Sequence, residues 1–592
     1  MADDNVIDPI VAAVQSGHLA AAERLCRQLL AREPDQPDVL LLLGIALRQQ
    51  DRPRDALVPF ARLTELHPDD GMHWGNYAAA LNHAGDVEAA EQAATRAVEL
   101  TPGNRDRLEQ LGLLRLQLGR PRDALAVLMQ ACGLAPESAS VHIHAARACA
   151  ACRDRRADDL LKPWREWLPL APDLQFELAD LLVQISEPCD ALELLEDLVA
   201  RTPTNWSAQL LLAKVYERVN QTDRAEAKLE WIVVTIGSNA GEDLEREIEA
   251  QRAQLAMRRH EFAVARGLLE HAGPGHDADD GHYFSLAKAC DMLRDAPAAM
   301  AALQTAHALQ IDGLRESNAD LLEPGAPLLP GVGDRVTDVE YHSWPALRAP
   351  DTSQSPVFVV GFPRSGTTLL EQMLDAHPRL QSMDERPFFN TLANHLADIG
   401  IIVPKDLGKL SQRDCDELRK GYVLMGCGKV ARRWYARLVD KNPLNMLWLP
   451  LIYRLFPQAQ FILALRHPCD VVWSCYLQNF RAAPLVAACR SLTNLASTYV
   501  ATMQTWLYHA QVFQPDMLLS RYEDLVADTS VQTGRIATFL GLEDAEPLLH
   551  FNVHAQDKGF IRTPSYTQVV EPINDRGVGH WQQYRPFFDE VL

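Results

Sequence analysis

The chain has 592 residues, too long for a single core, so two or more domains are expected. It is 47% hydrophobic and 23% charged, ordinary for a folded globular protein, and its formal net charge of −22 argues against a nucleic-acid partner, which would need a basic surface. No run of about 18 apolar residues occurs, so no membrane span is expected.

The sequence opens on an acidic stretch, MADDNVIDPIVAAVQSG, without the basic and apolar segments of a secretory leader. Its 11 cysteines are scattered, as free thiols in a reducing compartment would be, so a cytoplasmic location is expected. Cys149 and Cys152 have C-x-x-C spacing, but they lie in the helical run HAARACAACRDR with no second pair nearby. They read as small helix-packing residues, not metal ligands.

From the N-terminus the chain repeats itself. Pro34, Pro68, Pro102 and Pro136 follow one another at intervals of 34 residues, and so do Ala22, Ala56, Ala90 and Ala124. Gly44 and Gly112 stand two periods apart with Ala78 between them. A 34-residue period with a small residue in each helix and Pro closing the unit is the tetratricopeptide pattern. Paired helices cross closely only where Ala or Gly removes bulk, and Pro stops the second helix before the next begins. About six clear repeats are expected between residues 6 and 203, and diverged helical pairs to about residue 312. Such arrays present a groove to a peptide or partner protein, which the sequence does not name.

Residues 313–355 lose the helical period and gain Pro and Gly, as in LLEPGAPLLPGVGD, so they read as a connecting segment. Residues 356–592 then form a second domain. Val357 to Val360 predict a short buried strand, Gly361 to Gly366 a tight turn, and the residues from about 367 a helix. A long helical stretch through 390–440 and a strand at 460–465, QFILAL, follow. The predicted fold is therefore two-domain: an all-α tetratricopeptide solenoid, then an α/β P-loop-like domain with a parallel sheet and its ligands at the strand carboxyl ends.

The turn has the spacing of a nucleotide-triphosphate loop but not its lysine. Gly361 and Gly366 keep the glycine positions and Thr368 the Ser/Thr position, while Thr367 stands where Lys would reach the terminal phosphates. Backbone N–H groups at the start of the helix still make an anion cradle. The strand FILALRHP ends in Arg466, where a magnesium-binding Asp would be common. Arginines at two strand ends and no evident metal ligand suit an anion of fixed phosphate groups held without Mg²⁺.

PRSGTT, followed about 100 residues later by a strand, Arg466 and an eight-residue step to Ser474, resembles the sulfotransferases, which use 3′-phosphoadenosine 5′-phosphosulfate (PAPS). RSGTTLLEQMLDAHPRLQSMDERP is similar to part of the tyrosylprotein sulfotransferases, and the appended repeats resemble bacterial tetratricopeptide–sulfotransferase proteins. The likeness runs from about residue 356 to the C-terminus. It implies that Arg364, Ser365, Gly366, Thr367 and Thr368 hold the 5′-phosphosulfate, with Arg364 facing the transferring group. It implies that Arg466 and Ser474 bind the 3′-phosphate, that Tyr522 contacts the adenine, and that no metal takes part. Glu385 matches the family's carboxylate base, Lys441 in VDKNPLN its lysine near the bridging oxygen, and Ser565 a serine that assists the same charge. His580 stands where the family often has a basic residue before a late Trp, so contact with the 3′-phosphate there would depend on pH. Asp384 and His377 are the rivals of Glu385. The product would be the desulfated nucleotide, PAP. Two other readings stay open: a repeat scaffold that binds nucleotide without turnover, and an ATP-dependent kinase or NTPase.

Overall fold

The computed structural model describes residues 4–591 except 153, 155, 238–240, 428–432, 434, 559–568, 570 and 590. The chain forms two compact units, Met1–Leu194 and Leu195–Leu592.

In the first unit the sequence period sets the helix bounds. Pro37–Gln49, Gly71–His83 and Arg105–Gln117 begin one period apart, and so do their partners Pro53–Leu66, Val87–Leu100 and Pro121–Leu134. The small residues show why. A Cβ on Gly44 would lie 2.5 Å from the Phe60 ring, and one on Gly112 2.4 Å from Leu128. Ala22, Ala56, Ala90 and Ala124 are fully buried. The period slips after Ala139–Ala151, because the next helix is cut down to Arg156–Leu161 and a 3-10 turn, Trp164–Trp167, before Pro172–Gln184 resumes the pattern.

The second unit continues with the pairs Trp206–Arg218 and Thr222–Ile236, Glu242–Arg258 and Phe262–Ala272, and Asp280–Met292 and Ala296–Ser317. The repeat array expected to reach residue 312 thus crosses the division between units. Its last pair shares a core with the sheet: Phe284, Ala287, Met300 and Leu303 lie in one cluster with Phe358, Phe461 and Trp473. Polar bonds fix this packing. Buried Asp291 accepts from the Tyr584 hydroxyl at 2.7 Å and the Gln583 amide at 3.1 Å, the His307 ring N–H donates to the Tyr476 carbonyl at 2.9 Å, and Gln310 donates to Asn479 at 2.9 Å. The connecting segment is likewise held down. Leu329 and Val336 are buried, and the Gly333 N–H donates to the Thr505 hydroxyl at 3.1 Å.

Five parallel strands make the sheet, in the order β2-β3-β1-β4-β5. They are β1 Val357–Val360, β2 Leu380–Ser382, β3 Arg437–Lys441, β4 Gln460–Leu465 and β5 Asp516–Arg521. VFVV is apolar throughout because both faces are covered: Phe358 and Val360 pack in one core, Val357 and Val359 in the other. The helical stretch expected through 390–440 is instead two helices, Phe388–Asp398 and Gln412–Cys427, followed by β3. β3 escapes an apolar-run search because RLVDK ends in Asp440 and Lys441, charged yet fully buried on opposite faces. No described helix is long and apolar enough to cross a membrane.

Candidate functional site at the strand carboxyl ends

The loop after β1 is fixed by close backbone approach. A Cβ on Gly361 would lie 2.6 Å from the Ala464 carbonyl of β4, and Gly366, at φ +95°, would press one 2.9 Å from the Tyr522 ring. Arg364 takes the left-handed conformation at φ +71°, which costs a non-glycine residue on the order of 1 kcal/mol and is held by the surrounding contacts. Gly366 then caps the helix Thr367–Asp375, with Ser365, Thr367 and Thr368 buried at its start.

On one side of the loop stand two guanidinium groups. Arg364 Nε donates to Ser474 Oγ at 3.1 Å, and Ser474 lies on the helix Pro468–Tyr476, opened by proline as expected. Arg466 Nη1 donates to the Arg364 carbonyl at 3.1 Å, and its Nη2 to the Gly577 carbonyl at 2.5 Å. Its guanidinium lies over the Tyr522 ring, 4.9 Å from the centroid. Arg466 Nε is buried with no hydrogen-bond partner among the described residues. Burial, with Arg466 close by, pushes the Arg364 guanidinium below its ordinary value. Two cations facing each other around an unsatisfied N–H make a place for a multiply charged anion.

On the other side is a lysine. Lys441 ends β3, in register with Val359 of β1, and its side chain is 0% exposed. Its ammonium lies 2.5 Å from Glu385 and 3.1 Å from Glu371. Burial works against a charged lysine there, but the two carboxylates outweigh it and raise the Lys441 pKa. Asn442 donates to the Arg386 carbonyl at 3.1 Å and so fixes the turn that carries Glu385. Asp384, the neighbouring rival, is tied to Lys558 at 3.0 Å. His377 is buried past the end of the loop helix, where its Nδ1 accepts from the Arg379 N–H.

The structure therefore gathers Arg364, Ser365, Gly366, Thr367, Thr368, Arg466, Ser474 and Tyr522 around the loop, with Glu385 and Lys441 beside it at the end of the neighbouring strands. The His580 imidazole is paired with Asp291 of the last repeat at 2.9 Å, and it is the Gly577 carbonyl, three residues earlier, that meets Arg466. Ser565 lies outside the described residues. Sequence reasoning missed Glu371, whose only local signal was a carboxylate one turn after the loop threonines in the helix TTLLEQMLD. It also missed Asp470, which accepts from the Gly579 and Trp581 N–H groups at 2.8 and 2.9 Å and pins the C-terminal segment beside Arg466.

Residues 356–546 match the family described as Sulfotransferase family. The C-terminal region is therefore sulfotransferase-like in sequence. Residues 10–63, 41–105 and 176–234 match the Tetratricopeptide repeat. Among the relatives, an uncharacterized protein of Aquifex aeolicus is 28% identical over 251 residues, 40% of this chain and 32% of its own length. Protein-tyrosine sulfotransferase A of Caenorhabditis elegans is 25% identical over 270 residues, 42% of this chain and 67% of that protein. Protein-tyrosine sulfotransferase 2 of Gallus gallus is 26% identical over 240 residues, 39% of this chain and 64% of that protein. The chain thus spans about a third of the Aquifex aeolicus protein and about two thirds of these two enzymes.

Proposed function

We propose that this protein moves a sulfuryl group from PAPS to an acceptor hydroxyl, and that a tyrosine of a protein or peptide is the acceptor. One observation carries the reading: a phosphate-type loop without lysine lies between an arginine pair, Arg364 and Arg466, and a lysine–carboxylate pair, Lys441 and Glu385. The likeness to protein-tyrosine sulfotransferases supports tyrosine as acceptor. PAPS would supply a sulfuryl group activated by a phosphate leaving group. Arg364 and the N–H groups of the loop would hold its 5′ end, while Ser474 and Arg466 take the 3′-phosphate, to which the unpartnered Arg466 Nε is suited. Tyr522 would wall the adenine. Glu385 would receive the acceptor's proton, and Lys441 would neutralise the oxygen left behind. A sulfuryl group carries less charge than a terminal phosphoryl group, so these cations serve without a metal clamp. Ser565 and His580 keep supporting roles on the resemblance alone. The repeats would receive a partner protein or the acceptor itself, and the scattered cysteines of the sequence suit the cytoplasm.

Calorimetric titration with PAP, beside ATP plus Mg²⁺, tests the donor. Tight PAP binding with little ATP binding is expected, and Arg466→Ala should weaken PAP by roughly ten- to a hundredfold while sparing adenosine 5′-phosphosulfate, which lacks the 3′-phosphate. A preference for ATP–Mg²⁺ would replace this reading with a kinase or NTPase. Binding of neither would leave a repeat scaffold.

A further inference from the structure

Glu371 has no role in the scheme above, yet it is among the most confined charges in the molecule. Its side chain is 2% exposed, it lies 3.1 Å from Lys441, and the Ser382 hydroxyl at the end of β2 donates to it at 2.6 Å. It sits on the loop helix, one turn after Thr367 and Thr368. Glu385, bonded to the same ammonium, is 34% exposed. One buried cation is thus shared by a sealed carboxylate and an open one.

We propose that Glu371 is a positioning residue of the transfer reaction: it holds the Lys441 charge from behind, so that Glu385 can accept a proton without stranding that charge. The proposal rests on the sulfotransferase reading. Charge counting gives the reason. With Glu385 as its sole partner, Lys441 would be left as an uncompensated buried ion once Glu385 was protonated, which is strongly unfavourable. With Glu371 present the trio carries −1 before the proton arrives and 0 after it, so burial favours the transfer. The acceptor O–H bond breaks and its proton goes to Glu385. The acceptor oxygen bonds to sulfur, the bridging S–O bond breaks, and its electron pair stays on the phosphate oxygen of PAP, whose charge Lys441 would neutralise.

Burial pushes the Glu371 carboxyl above the ordinary range, with Lys441 and Lys558 pulling it back and Asp384 adding to the rise. Arg364 is the cation on the Glu385 side, and Asp440, one residue before Lys441, points to the other face and bonds the Tyr422 hydroxyl at 2.8 Å. Lys441 is the ammonium bonded to both carboxylates.

Glu371→Gln keeps the shape and removes the charge. With labelled PAPS and a short tyrosine peptide, kcat should fall roughly ten- to a hundredfold while PAP binding by calorimetry stays within about twofold. Removing a negative charge makes both Glu385 and Lys441 more acidic, so both limbs of the pH–rate profile should move to lower pH by about one unit. A merely structural glutamate would not move them, and limbs that stay in place overturn the proposal. Glu371→Asp keeps the charge at a longer reach and should restore most of kcat while leaving a smaller shift of the limbs in the same direction; if the Gln variant does not fold, that smaller shift carries the test, and its absence overturns the proposal. A second readout needs no turnover. The ε-carbon NMR signal of Lys441 should titrate at lower pH in the Glu371 variant than in the wild type, and an unchanged titration also overturns the proposal. A wild type that transfers nothing from PAPS would sink the sulfotransferase reading, while this titration would still decide whether Glu371 holds the lysine charge.

Discussion

The early repeats and the last repeat pair are built from the same helix–turn–helix unit but are specified differently. In the first unit, Gly44 against Phe60 and Gly112 against Leu128 are contacts between neighbouring helices, repeated every second period. In the last pair, Asp291, His307 and Gln310 add hydrogen bonds to the sheet domain to the small apolar contacts. A repeat that meets only its neighbours can be written as a period. A repeat that meets another domain has to carry directional bonds, because hydrophobic burial alone does not set orientation. The sheet domain is therefore better counted from the middle of the repeat array than from the end of it.

Truncation breaks this comparison most severely. A fragment beginning at residue 313 loses Phe284, Met300 and Leu303 from the shared core and should fail to melt cooperatively, whereas one beginning at residue 195 should retain a cooperative transition by circular dichroism. A fragment from 313 that melts like the one from 195 would make the last pair an ordinary repeat.

Single substitutions sharpen the comparison. Asp291→Ala strips the bonding partner from Tyr584, Gln583 and His580 and should destabilise the second unit by about 3 kcal/mol. Gly112→Ala should cost about 1–3 kcal/mol by overpacking against Leu128, in the first unit alone. Scanning calorimetry that resolved both changes in one transition would contradict the independence of the two.

The two units also differ in the sign of their response to pH. Burial lowers the His307 pKa to about 4, below the unfolded value near 6.5, so protons bind the unfolded chain first and the second unit loses stability as pH falls through that window. The loss should approach about 3 kcal/mol below pH 4. In the first unit His144 lies between Glu109 and Glu177, at 2.8 and 3.5 Å; burial opposes its charge, but the carboxylates outweigh it and raise the pKa to about 9. That contribution, on the order of 2 kcal/mol, is complete below pH 6.5 and is lost as pH rises through 9. Melts at pH 5 and pH 9 should therefore weaken opposite units.

The period, the loop with its two glycines, β1 and β4 were legible because each repeats or concentrates one residue class. β3 was not, since its decisive residues are buried charges that satisfy one another: Lys441 with Glu371 and Glu385, Asp440 with Tyr422 and Asn445. Burial of a charge depends on partners far along the chain, and no local pattern announces it. Glu371 was passed over for the same reason. Arg466 and Ser474 could be read because a strand, a proline-opened helix and a fixed step connect them. The Asp470 bonds to Gly579 and Trp581 join residues more than a hundred positions apart, and nothing near either end marks them.

The Asp291–Tyr584 bond joins positions 293 residues apart. A ribosome adding about 5–20 residues per second takes roughly 15–60 s to travel between them. For that time the nascent helix Asp280–Met292 carries a carboxylate and an apolar face whose partners have not yet been synthesised. The early repeats need no such wait, because each closes on a neighbour made moments before. Closure of this part of the core therefore cannot precede synthesis of the last ten residues of the chain.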